Sequence, residues 1–206
     1  MESELYHIHL KGNKDFKWQV GNTINIDKTF DSVMNQRQQE FCQLVNVNNI
    51  NVQYSNYLTQ YFAKIQNKIS IKKEELEELK SLLEAGYRLS YNANFFKRET
   101  SLEDCRKDNY SSLPSRLHSI YLCDKDGLEY WQDTIVPQNR ESEVFKVYVT
   151  GIIFKTNEQL LPKEETTYGE SYNASFKYWN PKFKDVPNYT NEYLVQGKVK
   201  ILEKLK

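Results

Sequence analysis

The segments with the strongest strand character lie at opposite ends of this chain, and that separation constrains the fold more than any other feature. Leu5–Leu10 reads as a strand at the start, Phe145–Phe154 concentrates Val147, Val149, Ile152 and Ile153, and Tyr193–Leu202 reads as the closing strand. Between the ends, Lys72–Ala85 predicts a helix, with Leu76, Leu79, Leu82 and Leu83 as one apolar stripe, Glu and Lys elsewhere, and Gly86 as its stop. A sheet that draws on both ends, with helices between, points to an α+β fold rather than a regularly alternating parallel sheet.

The remaining segments fit that outline. Trp18–Ile26 reads as extended, Asp27 as a helix N-cap, and the stretch after Lys28 as a helix that gives way to a loop in the Asn-rich run Asn46–Asn56. Tyr87–Arg106 suggests a further helix or two. Leu117–Cys123 alternates as a strand, closed by the turn Asp124–Gly127 and followed by a short helix at Leu128–Thr134. Ser171–Trp179 predicts another helix. Gly151 and Gly197 mark a bulge or turn within their strands.

Lys and Arg number 28 and Asp and Glu also number 28, so the overall charge recruits neither nucleic acid nor an acidic membrane surface. Mean hydropathy is low at −0.76, yet 14% of residues are aromatic, which builds a core from large amphipathic side chains and argues against disorder. No apolar stretch approaches bilayer length and the start lacks a secretory pattern, so a cytoplasmic location is expected. Cys42, Cys105 and Cys123 form no close pair and read as reduced thiols; Cys42 and Cys123 are expected in the core and Cys105, among charges, at the surface.

His7 on the first strand and Glu192 at the start of the last are lone polar residues on apolar strands, where a polar partner or ligand is required. No Gly-rich phosphate loop, GxSxG, HExxH or zinc-spaced Cys/His pair is present. His7 and His9 face one side of a strand, but two imidazoles and a distant His118 make a poor ligand set, so no metal is expected.

The order of segments resembles the ADP-ribosyltransferase superfamily, in the branch whose core strands carry a His, a Tyr or Ser, and a Glu. Tyr6-His7 is similar to its first signature, the run from Ser115 through Leu122 to its second, and the run from Asn191 through Val199 to its third. The whole chain also resembles an uncharacterised bacterial family of that superfamily. The resemblance implies a single domain over residues 1–206, with two small packed antiparallel or mixed sheets, flanking helices and a helical insertion around 28–112. It further implies NAD as substrate and ADP-ribosyl transfer to an unidentified acceptor, whether protein, nucleic acid or small molecule.

Within that resemblance Glu192 would stabilise the ribosyl cation and His7 would anchor NAD through the adenosine ribose. Tyr121 would stack on nicotinamide, with Tyr130 or Trp131 as second choices, while Arg116 would contact a phosphate and Ser119 would line the site. Ile8 stands where many members place a Gly whose backbone pairs with the nicotinamide amide. Thr190, two residues before Glu192, departs from the Gln or Glu of members that modify Arg or Asn. Two other readings compete: a catalytically degenerate nucleotide-binding or protein-interaction module on the same fold, and a nucleic-acid binder or modifier using the tracts Phe176–Trp179 and Lys182–Lys184.

Overall fold

A computed structural model describes residues 4–12, 17–32, 34, 44–47, 50–67 and 72–205. The chain divides into two compact units, 1–35 with 98–206, and 36–97. This division stands where the sequence suggests one domain with an insertion at 28–112.

The first unit is built on antiparallel strands β1 (Leu5–Leu10), β2 (Thr23–Ile26), β5 (Ile120–Leu122), β6 (Ser142–Asn157) and β7 (Asn191–Lys204). β6 and β7 pair along almost their whole length. β1 adds to the first part of β6, from Leu5 opposite Val147 to Leu10 opposite Ser142. On its other edge β7 pairs with β5, and beyond it with β2. The amide of Tyr6 then donates to the Cys123 carbonyl at 2.8 Å, and that of Cys123 to the Tyr6 carbonyl at 3.0 Å. β1, β6, β7 and β5 thus form a closed circuit of pairings.

Strand alternation assigns the side chains to two faces of this circuit. Leu5, Ile120, Leu122, Phe145, Val147, Tyr193 and Val195, drawn from all four strands, meet in one inner cluster with Trp18 against it. The alternate residues face outward beneath helices. Leu194 packs with Leu102, Cys105, Tyr178 and Trp179, while Tyr6, Ile8, Cys123 and Val144 pack with Leu128, Trp131 and Val136. The covering helices are the end of α2 (Lys73–Asn109), α3 (Leu128–Ile135) and α4 (Tyr168–Trp179). A capping box between Thr167 and Glu170 starts α4 three residues earlier than Ser171.

The local departures have physical causes. β5 is shorter than Leu117–Cys123 because Arg116–His118 forms a 3-10 turn, with the Ser115 hydroxyl capping the Leu117 amide. The register shift between β6 and β7 falls at Lys146/Val147 rather than at Gly151. Gly151 instead faces Gly197 in register, with φ of +151° and +142°. A Cβ on either would lie 2.3 Å from a carbonyl oxygen of the opposite strand, so only glycine permits the backbones to approach this closely. Asp27 accepts from the amide and hydroxyl of Thr29 and caps a turn rather than a helix. Cys105 is fully buried against α4 rather than exposed, because it lies on the core side of α2. Cys123 is buried as expected, and Cys42 lies outside the described residues.

The second unit contains a hairpin of β3 (Leu44–Val47) and β4 (Ile50–Gln53), followed by α1 (Tyr54–Gln66) and the first part of α2. The hairpin replaces the loop expected of the Asn-rich run: Val45 is in register with Val52 and Val47 with Ile50, and β-branched residues favour extended backbone. Helix α2 continues through Gly86, so Gly86 is no stop. Its Leu82 and Ala85 are buried with Tyr61 of α1, whereas Leu76 and Leu83 are exposed, which splits the expected stripe.

Candidate functional site

The outer face of β5 and β7 carries a buried polar network centred on Arg116. Strand alternation places Glu192 on the same outward face of β7 as Leu194, and Tyr121 on the outward face of β5. The 3-10 turn after Ser115 delivers Arg116 beneath them. Its Nε donates to Glu99 Oε2 of α2 at 2.8 Å, and its Nη1 donates to Glu192 Oε1 at 2.9 Å. Nη1 also meets the Tyr178 hydroxyl of α4, which itself donates to Glu192 Oε1 at 2.6 Å. The guanidinium lies over the rings of Tyr178 and Tyr121 at 4.8 and 5.3 Å from their centroids. Arg98 closes the far side, bonding Glu99 Oε1 at 3.1 Å and Glu164 at 2.7 Å.

Desolvating these charges is costly, and the arrangement offsets that cost by alternating them. Burial alone would raise the Glu99 carboxyl, but Arg116 and Arg98 outweigh it and hold the group below its usual range. Burial works against the Arg116 cation, and Glu99, followed by the tyrosines and Glu192, reverses this and holds it well above its ordinary value. Burial pushes the Tyr121 and Tyr178 hydroxyls well up, so both remain protonated donors. The Tyr121 hydroxyl donates to the Arg116 carbonyl at 2.9 Å. Among the described residues nothing hydrogen-bonds Glu192 Oε2, and Glu192 is 5% exposed. Glu164, Arg98, Glu99, Arg116 and Glu192 thus form a chain of alternating sign, three carboxylates sharing two guanidiniums.

The other expected site residues take three positions. His7 points into the circuit, stacked on Trp18 with ring centroids 3.9 Å apart, and its Nδ1 lies 3.3 Å from the Tyr121 carbonyl. It is therefore on the opposite face of the sheet from Glu192 and the Tyr121 side chain. Burial pushes its imidazole down to about 3, which keeps it neutral. Ile8 is buried outward in the cluster with Leu128 and Trp131 of α3. Ser119 is fully buried and donates to the Ser115 carbonyl at 2.6 Å, a local tie rather than a ligand contact.

Tyr130 and Trp131 border the start of β7. Trp131 Nε1 donates to the Asn191 carbonyl at 2.9 Å, next to Glu192, and Tyr130 bonds the Glu158 carboxylate. The Tyr130 ring lies 5.4 Å from that of Tyr189, which is exposed. Thr190 is buried, bonded to Asn157 and to the Pro187 carbonyl, and closes the turn before β7.

Sequence reasoning missed Glu99 and Tyr178. Tyr178 stands in the Phe176–Trp179 tract considered as a stacking platform for nucleic acid; Tyr178 and Trp179 are instead buried, and their helical spacing from Ser171 and Ser175 was the available signal. In the second tract, Phe183 packs beneath the Lys155 ammonium at 5.3 Å. Among the described residues no cluster of His, Cys, Asp and Glu is arranged to hold a metal, and no helix is long and apolar enough to cross a membrane.

No curated protein matches the chain. A family model described as protein of unknown function (DUF2441) matches residues 5–206, and the chain belongs to that family.

Proposed function

We propose that this protein transfers ADP-ribose from NAD to an acceptor, with Glu192 as the electrostatic centre. The observation that carries the reading is the Glu192 carboxylate itself: Arg116 and Tyr178 both engage Oε1, which fixes the group and leaves Oε2 to a ligand. In the reaction the bond from the ribose anomeric carbon to the nicotinamide nitrogen breaks, and nicotinamide leaves with the electron pair. The acceptor then bonds to that carbon and loses a proton. Positive charge builds on the ribose in between, and a carboxylate already held in place stabilises it without reorganising.

Arg116 does not cancel this charge, because three carboxylates of the connected network share two guanidiniums: Arg116 serves Glu99 and Glu192, and Arg98 serves Glu99 and Glu164. Tyr130 is the aromatic group suited to the flat nicotinamide ring. Tyr121 is committed to the Arg116 guanidinium. The anchoring role that resemblance gives His7 has no support from its inward position.

One observation favours the degenerate module: Ile8 is buried with its apolar side chain packed on α3, and the resemblance aligns it with a position where many superfamily members keep a Gly. Titration with NAD while nicotinamide release is followed separates the two. Release that falls at least a hundredfold in Glu192→Gln, in a protein that melts cooperatively, supports transfer. NAD binding without release supports a degenerate nucleotide-binding module, and no binding at all removes both transfer and nucleotide binding.

A further inference from the structure

From Leu76 to Tyr91, helix α2 presents apolar side chains to water. Leu76 is 57% exposed, Leu83 58%, Tyr87 74% and Tyr91 48%. At 100° per residue these four fall within an arc of about 80°, on the side of the helix away from Leu82 and Ala85, which pack on Tyr61. The stripe runs for about 22 Å. Large exposed apolar side chains gathered on one helix face are a feature of contact sites.

The charges beside the stripe say what covers it. Glu77, Glu84 and Arg88 follow one flank and Lys80 lies toward their edge of the arc, so along the helix the four run minus, plus, minus, plus; all are exposed, and among the described residues none has an ion-pair partner. That order is complementary to itself when reversed. We infer that the Leu76–Tyr91 face of α2 docks against the same face of a second copy of this chain, antiparallel, with a two-fold axis at Leu83. In this register Leu83 meets its own counterpart, Leu76 faces the partner's Tyr91, Glu77 faces the partner's Arg88, and Lys80 lies between the partner's Glu84 and Tyr87. Each unlike contact occurs twice, as an isologous interface requires. A parallel pairing would set this flank against the partner's opposite flank, and the complementarity would be lost.

Sedimentation equilibrium of the full chain at roughly 100 μM, enough to saturate a micromolar association, is expected to give twice the 24.5 kDa chain mass. Leu83→Glu, at an exposed position, is expected to be monomeric with an unchanged far-UV spectrum. Glu77→Arg or Arg88→Glu alone should weaken association about tenfold, and the two together should restore it. Leu83→Cys should form a disulfide-linked dimer on oxidation. A monomeric wild type overturns the inference and leaves the stripe to a different partner; a dimer that survives Leu83→Glu, a double swap that fails to recover, or an absent cross-link overturns this face or this register.

Discussion

Arg116 Nη1 and Glu192 Oε1 meet at 2.9 Å across 76 residues of sequence, with Glu99 on the other side of the same guanidinium. Arg116 is thus the one cation between two carboxylates that have little water of their own. Arg116→Met keeps the bulk and leaves Glu99 and Glu192 facing each other. It should lower unfolding free energy by about 3–5 kcal/mol in urea denaturation, while Tyr178→Phe, which removes one donor, should cost about 1–3 kcal/mol. Equal losses in the two variants would show that the guanidinium is not the centre of the network.

The paired glycines make a second expectation. Gly151→Ala or Gly197→Ala sets a methyl group 2.3 Å from a backbone carbonyl oxygen at a φ that other residues avoid, and should cost on the order of 3 kcal/mol or more. Gly12→Ala is the control, since Gly12 has φ of +91° but open space around it, and should cost about 1 kcal/mol. Thermal melts of the three variants give the comparison.

Acid sensitivity follows from His7 before it follows from the carboxylates. Its folded value of about 3 lies below the ordinary 6.5, so the unfolded chain binds the extra proton in the interval between them. Stability from this source is complete above pH 6.5 and is lost as the pH falls toward 3, with a slope of about 1.4 kcal/mol per unit. Glu99, held below 4.5, adds a loss of the same sign under more acidic conditions. Urea denaturation at pH 6.5 and pH 5 should differ by about 2 kcal/mol in the wild type, and His7→Phe, which keeps an aromatic ring on Trp18, should flatten that difference.

Thiol accessibility tests the packing of α2 on α4. Cys105 and Cys123 are both buried, and burial raises the Cys105 thiol and pushes that of Cys123 up to about 12. A thiol reagent should modify no more than one cysteine in the native protein and all three after unfolding. Rapid native modification of two would show that one of these sites is open.

The strands at both ends were legible because a two-residue period survives any tertiary context, and Leu5–Leu10 appears in the structure with its expected bounds. The hairpin at Leu44–Gln53 was hidden because Asn suggests a loop, while the alternation that makes the ladder involves only four apolar residues. At the site, Glu192, Tyr121 and Arg116 were all singled out, and they do gather. The partner relation among them was not legible: nothing local in Glu99 or Tyr178 says that a helix will carry it to the same guanidinium. His7 shows the converse limit, since a strand pattern says which residues share a face but not which face turns inward.

The closed circuit of strands also sets an order of events at the ribosome. β1 is made about 130 residues before its ladder partner at Ser142–Val147, and β5 and β6 both pair with β7, which follows them. The first strand therefore waits through that stretch of synthesis without its ladder partner. Such long-range pairing folds slowly and exposes strand edges while it waits, so a nascent chain halted before Asn191 should be a client for chaperones rather than a half-finished sheet.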